Sequence, residues 1–135
     1  MGGTLTDNAL ALTIDASCNV YTTGTFFCLG KSMGGASPEN SRSIVVDASR
    51  QYLYNRLFYG ATDFDPNGGI ANLVSNGSYD IFVSKLDSSG NFIWAKNMGG
   101  VSADFGFSIA VDGVSNVYTT GTIEGTADFD EHRNN

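Results

Sequence analysis

One short stretch of the sequence places oxygen ligands at a spacing that suits a hard cation. The stretch Asp-Phe-Asp-Pro-Asn-Gly-Gly begins at Asp63, so Asp63, Asp65 and Asn67 alternate as in the first half of a calcium loop. The twelfth loop position is Val74 rather than a bidentate glutamate, and the matching stretch at 128–133 lacks the Asn-Gly pair. We therefore expect these carboxylates to cap backbone N–H groups, with calcium as the alternative and no other cofactor.

Groups that could carry catalysis are scarce. The single histidine, His132, lies near the C-terminus, where a preorganised base of a Ser-His-Asp triad is not expected. Three acidic residues at matching places, Asp15, Asp47 and Asp112, suggest the paired carboxylates of glycoside hydrolysis as one hypothesis. Each of them follows an apolar run and begins a turn, where aspartate accepts backbone N–H bonds. We therefore predict a turn role for them and no catalytic residues in this chain.

Aromatic and cysteine side chains offer two further hypotheses. Tyr21, Trp94 and Tyr118 could form a platform for a sugar ring, although packing between stacked sheets is the expected role of such residues. Cys18 and Cys28 are expected at opposite ends of one extended strand, beyond the reach of a disulfide. The sequence therefore predicts two free thiols.

Charge and hydropathy exclude some partners. The chain has 14 acidic and 7 basic residues, a net charge of −7, and its basic residues are scattered. Nucleic-acid binding requires clustered Lys and Arg, so we expect no nucleic-acid partner. No apolar run has transmembrane length, and the first residues resemble no signal peptide, so we expect no membrane insertion.

The sequence repeats itself with a period of 65 residues. Met-Gly-Gly begins at Met1, Met33 and Met98, and Asp-Phe-Asp begins 30 positions after the second and after the third methionine. Asn-Val-Tyr-Thr-Thr-Gly-Thr occurs at 19–25 and again at 116–122, an offset of 97 that the methionines share. The first unit is therefore short by 33 residues, and it lacks the second half of a repeat.

The apolar runs of each full unit predict four antiparallel strands. The apolar runs of the complete unit are 43–47, 52–58, 80–86 and 91–96, separated by turn signals. The first run is apolar almost throughout, which indicates a strand buried on both faces. In the outer units the second run contains a glycine, which we interpret as a turn residue. In the complete unit Arg56 stands in its place, so we expect the strand to end with a different geometry there. We found no helical periodicity and predict an all-β fold.

These motifs resemble the bacterial SBBP (seven-bladed β-propeller) repeat family. The resemblance rests on four runs together with the Asp-Phe-Asp motif: 80–87, 92–100, 108–112, 116–121 and 128–130. It implies propeller-type blades stacked side by side, with a half blade at 1–32, a full blade at 33–98 and a half blade at 99–135. A closed propeller has about 4 to 8 blades, so the expected fold is an incomplete propeller. The family is associated with large secreted or surface-attached bacterial proteins, and the resemblance implies no catalytic residues.

Three hypotheses about function remain open from the sequence. The first is a non-catalytic structural or interaction module, a fragment of a larger extracellular propeller protein that binds a protein or glycan at one rim. The second is a remnant of a propeller-scaffold enzyme of the lyase or glycosidase type, and the third is a degraded copy without function. Because the half blades leave unpaired strand edges, self-association is also expected.

Overall fold

The structure is a computed structural model, and it describes residues 9–15, 20–24 and 40–128. This part of the chain contains strands and no helix, as the sequence predicts. The strands are β1 (Ala9–Ile14), β2 (Val20–Gly24), β3 (Asn40–Val46), β4 (Tyr52–Asp63), β5 (Asn72–Leu86), β6 (Phe92–Gly100), β7 (Phe105–Val111), β8 (Val117–Thr122) and β9 (Ala127–Asp128).

Strands β3 to β6 form the complete blade. They pair antiparallel in the order β3-β4-β5-β6, and β9 adds to the outer edge by pairing with Gly99 and Gly100. β1–β2 and β7–β8 are separate two-stranded hairpins. The predicted all-β, propeller-type architecture is thereby confirmed.

The inner strands of the three units stack side by side. β3 lies between β1 and β7, in contact with both. Side chains alternate along a strand, so Ile44 of β3 packs in a cluster that Ala11 of β1 joins, whereas Val45 packs in a cluster with Ile109 of β7. The predicted burial of this strand on both faces is therefore confirmed for β3, because a neighbouring unit covers each face.

The tip of the β4–β5 hairpin folds back over the blade. The register of the two strands jumps beyond Tyr59, at Gly60, whose φ is +71°. The tip then brings Phe64 into the aromatic cluster of the blade, with ring centroids 5.5 Å from Phe58 and 4.8 Å from Phe82. β4 and β5 are longer than the runs predicted for them because this tip is itself a paired hairpin.

One detail of the sequence prediction is wrong. The glycine of the Val-Tyr-Thr-Thr-Gly run was taken as a turn residue, but Gly121 lies inside β8 and pairs with Gly106. A Cβ at Gly121 would lie 2.3 Å from the carbonyl oxygen of Phe105. Close approach of two backbones therefore explains this glycine. Cys18, Cys28 and His132 lie outside the described residues, as does most of the second Asp-Phe-Asp motif.

Candidate functional site

Three turns at one end of the stack share a single design. In each turn, Oδ1 of the first aspartate accepts hydrogen bonds of 2.8–3.0 Å from the backbone N–H groups two and four residues later. The aspartates are Asp47, Asp87 and Asp112. The fourth residue has a positive φ in every turn, and these residues are Arg50 (58°), Gly90 (77°) and Ser115 (67°).

These turns, which we call the Asp-turn rim, confirm the predicted turn role of Asp47 and Asp112. Strands alternate in direction, so the turns that follow β3, β5 and β7 all lie at the same end of the stack. Asp15 is buried at the end of β1, and the residues that follow it lie outside the described part. Of the three carboxylates that suggested glycoside chemistry, those of Asp47 and Asp112 thus hold their hairpins in shape.

Asp47 differs from the other rim aspartates in its charged partner. Its Oδ2 lies 2.8 Å from Nζ of Lys85, and both side chains are buried. Burial acts to raise the pKa of Asp47, but the bond from Lys85 and the N–H donors of Gln51 and Ser49 outweigh it and lower the pKa below its ordinary 3.8. Sequence reasoning did not select Lys85, because nothing in a linear sequence pairs it with a residue 38 positions earlier.

Asp112 has neutral partners in the same turn. The side-chain amide of Asn116 donates to its Oδ2 at 2.7 Å, and the hydroxyl of Tyr118 lies 3.2 Å from the same oxygen. The bond from the Asn116 side chain, followed by the bond from its backbone N–H, lowers the pKa of Asp112. Lys85 lies on β5, and the described part of the third unit contains no strand equivalent to β5. Asp112 therefore has no lysine partner equivalent to Lys85 among the described residues.

The three calcium candidates lie together on the folded-back tip. Oδ1 of Asp63 accepts the N–H groups of Asp65 and Ala71, and these two bonds lower the pKa of Asp63. Oδ1 of Asp65 accepts the N–H of Asn67 at 2.8 Å. These contacts are the capping arrangement that the sequence favoured.

Asn67 itself turns toward the Asp-turn rim. Its side-chain amide donates to the carbonyl oxygen of Gly90 at 3.3 Å and to Oδ1 of Asn91 at 3.2 Å. The tip is thereby fastened to the turn between β5 and β6. Calcium binding at Asp63, Asp65 and Asn67 stays the alternative hypothesis, and the described residues include no group of three or more His, Cys, Asp or Glu side chains placed to hold a metal ion.

The opposite end of the blade contains two buried carboxylates that sequence reasoning missed. Asp80 and Asp104 are completely buried, on either side of Gly99. A Cβ at Gly99 would lie 2.7 Å from Oδ1 of Asp80 and 2.7 Å from Oδ2 of Asp104. Both oxygens are therefore close to the same point, and the two carboxylates are neighbours. Only glycine fits between these carboxylates.

Both buried carboxylates accept backbone N–H groups. Asp104 accepts the N–H of Gly100 and the N–H of Glu124, each at 2.8 Å, which ties the end of β6 to the segment after β8. Oδ2 of Asp80 accepts the N–H of Asn76 at 3.0 Å. Asp80 thus holds the irregular stretch within β5 where the register with β4 shifts, and Asp104 holds the end of β6 and the backbone that follows β8. A single sequence offers no pattern that marks such a role.

Two of the three aromatic residues proposed as a sugar platform, Trp94 and Tyr118, have described side chains. Trp94 packs against the cluster of Leu53, Val83 and Ile109. Tyr118 is 57% exposed on β8. The side chain of Tyr21 lies outside the described residues, so the structure places only Trp94 and Tyr118, one against the core and one on the surface.

The outer faces of the stack carry exposed apolar side chains. We call the β1 surface that points away from β3 the head face, and it presents Leu12 and Ile14. We call the β7–β8 surface that points away from β3 the tail face, and it presents Ala110 and Tyr118. Leu12 is 63% exposed and Ile14 is 57% exposed. Apolar side chains on the faces of an otherwise stacked array indicate surfaces suited to contact with another blade.

Comparison with known proteins agrees with the repeat architecture. A beta-propeller repeat family, SBBP, matches residues 93–130, from β6 to the region of β9. An uncharacterized WD repeat-containing protein of Acanthamoeba polyphaga mimivirus is 38% identical over 65 residues, which are 47% of this chain and 5% of that relative. The chain thus spans a small part of the relative's length. No solved structure matches the chain.

The described part of the chain has no helix of the length and hydropathy that would cross a membrane.

Proposed function

Because the chain carries a repeat of the SBBP β-propeller family, we propose that it is a structural and interaction module with no catalytic site of its own. The observation that carries this proposal is the contact between neighbouring inner hairpins. The side-chain amide of Asn55 donates to the carbonyl oxygen of Ser108 at 2.9 Å, and the N–H of Ile109 donates to Oγ of Ser43 at 3.3 Å. Units that recognise one another through buried polar contacts are suited to building a larger scaffold.

The bonds that the rim carboxylates already make support a non-catalytic role. A general acid or base needs an oxygen that can reach a substrate proton. At Asp47 and Asp112, Oδ1 accepts two backbone N–H groups, and Oδ2 is bound by Lys85 or by Asn116. Releasing either carboxylate for chemistry would open the hairpin that it holds.

The setting of the module is part of the same proposal. The resemblance to propellers of secreted or surface-attached proteins supports a place in a larger extracellular propeller, in which further blades stack on those of this chain. In that setting the loops of one rim, such as the Asp-turn rim, would contact a protein or glycan, since repeat proteins bind through loops carried on a rigid stack.

A combined binding and turnover screen tests this proposal. The purified chain is applied to a glycan array and, separately, incubated with chromogenic glycosides and with polyuronates whose cleavage by a lyase creates an ultraviolet-absorbing double bond. We expect no turnover above the buffer rate, whether or not a glycan is retained. Turnover that disappears in D112N, while circular dichroism shows an unchanged fold, would overturn the proposal in favour of the enzyme hypothesis.

A further inference from the structure

We propose that two copies of this chain dock head to tail, with the head face of one copy on the tail face of the other, and close into a ring. This inference rests on the proposed function as a stacking module and names its partner, a second copy. It differs from association through unpaired strand edges, because the contact is made by side chains on the faces of the inner hairpins.

The two faces correspond to the two sides of a contact that the chain already contains. Between the second and third units, Ile109 packs on Leu53 and Val83, with Val45 beside them. The offset of 65 residues places Ala110 at the position of Val45 and Tyr118 at that of Leu53. The tail face therefore repeats the part of that surface that belongs to the inner hairpin, whereas Val83 lies on β5, which has no counterpart in the described part of the third unit.

The head face repeats the opposite side of that contact. The offset of 97 residues places Leu12 at the position of Ile109. Ile109 is 6% exposed because the second unit covers it, whereas Leu12 is 63% exposed. Leu53 is completely buried, whereas its equivalent Tyr118 is 57% exposed. Each face thus presents the residue that its counterpart inside the chain buries.

One of the two polar bonds of that contact has a counterpart on the tail face, whereas Thr120 stands at the position of Asn55. Oγ of Ser43 accepts the N–H of Ile109, and Ser108 occupies the position of Ser43 on the tail face. In the docked pair, Oγ of Ser108 would accept the N–H of Leu12 from the second copy. The bond that joins the second and third units would then be repeated between copies.

The number of copies follows from the requirement that the propeller ring close. A head-to-tail contact is heterologous, so it produces a ring if the rotation closes and a filament if it does not. The described residues contain three inner hairpins, β1–β2, β3–β4 and β7–β8. Closed propellers have about 4 to 8 blades, and only two copies, with six inner hairpins, fall in this range.

Light scattering on a sizing column, over a range of protein concentrations, tests the inference. Three variants are compared with the wild-type chain: L12D on the head face, Y118D on the tail face, and V101D as a control at a position that is 79% exposed and lies on neither face. We expect twice the monomer mass for the wild type and V101D. L12D and Y118D should each associate at least about 100-fold more weakly, because the contact would bury an unpaired carboxylate.

Mixing the two variants distinguishes a head-to-tail contact from a symmetric one. L12D retains an intact tail face and Y118D an intact head face, so a mixed pair keeps one wild-type contact and places both substitutions in the other contact. An equimolar mixture should therefore associate more tightly than either variant alone, through that one contact. A wild-type chain that is monomeric, a dimer that either variant leaves unchanged, or a mixture that associates no more tightly than the single variants would overturn the inference. Circular dichroism checks that each variant is folded. A monomer that shows no turnover would leave the proposed function standing.

Discussion

The side-chain amide of Asn55 donates a 2.9 Å hydrogen bond to the backbone carbonyl oxygen of Ser108, which belongs to the next unit of the repeat. Asn55 is completely buried in the middle of β4, where an apolar residue would be the simpler choice. The bond fixes the height at which β7 lies on the complete blade. Two units of the array are therefore joined by a directional contact as well as by apolar packing.

Replacing Asn55 by alanine should weaken the joint between the units. Ser108 would lose a donor and a small cavity would open, so we expect a loss of about 1 to 3 kcal/mol in the free energy of unfolding. Urea unfolding followed by the fluorescence of Trp94, the single tryptophan, measures this loss. N72A, at an exposed position of β5, serves as the control. Equal stabilities of N55A and N72A would contradict the structural role of the bond.

Replacing Asp47 by asparagine should cost far more than the same change at Asp112. Asparagine can keep the turn bonds, but at position 47 it would leave the buried ammonium group of Lys85 without a counter-charge. Breaking a buried ion pair in this way costs about 3 to 5 kcal/mol. D112N alters the equivalent turn, where no lysine is bound and the bond from the Asn116 amide is lost instead, so a larger loss in D47N reports the buried charge of Lys85. A difference near zero would mean that Lys85 finds another partner.

Acid should destabilise the fold through the same carboxylate. The pKa of Asp47 is lower in the folded protein than its ordinary value of 3.8, so unfolding takes up a proton when the pH is low. The stabilisation is complete above 3.8 and is lost as the pH falls through the lowered pKa, and Asp63 and Asp112 act in the same direction. Urea unfolding at neutral pH and at several values below 3.8 should show this loss. A smaller loss in D47N would assign part of it to Asp47.

Replacing Phe64 by alanine should release the folded-back hairpin tip. Phe64 is buried against Phe58 and Phe82, and truncating a buried phenylalanine costs about 3 to 5 kcal/mol. Hydrogen exchange should then increase at residues 61–74, while β3 keeps its protection. I70A is the matched control in the same tip, since Ile70 is 83% exposed. Unchanged exchange at 61–74 in F64A would show that the tip is held by other contacts.

Calorimetry with calcium should give no binding heat at millimolar concentration. Asp63 and Asp65 already accept backbone N–H groups, and the amide of Asn67 is bound to the turn at Gly90. A cation would have to replace those bonds with too few oxygen ligands to complete its shell. Heat that disappears in D63N would contradict this expectation and would support the calcium loop.

The repeat allowed much of the fold to be predicted from the sequence. The four strand runs, the absence of helix in the described part and the turn role of Asp47 and Asp112 all follow from local patterns: alternation, β-branched residues and an aspartate that begins each turn. The register between units was also accessible, because identical motifs at a fixed offset must occupy equivalent places in a stack. The all-β repeat followed from these local patterns and their period, whereas the propeller-type stacking was implied by the family resemblance.

What could not be predicted depends on contacts between distant residues. Lys85 and Asp47 are paired only because β3, β4 and β5 are adjacent, and the pairing of Asp80 and Asp104 around Gly99 requires β6 and its connection to be in place. The return of Phe64 to the blade depends on the irregular register near Gly60. No local periodicity encodes a hairpin that bends back on its own sheet.

The folded-back tip of the β4–β5 hairpin helps to cover the core of the complete blade on the side of the shortened first unit. Phe64, Ala71 and Leu73 cover the side of the complete blade that faces the first unit, the unit whose outer half the sequence lacks. In the third unit β9, which corresponds to Thr62 and Asp63 at the end of β4, instead pairs with the outer strand of the preceding blade. The complete blade thus supplies part of the cover for its own core from its own hairpin. A unit that lacks its outer half can therefore stand beside this blade without leaving those aromatic side chains open to water.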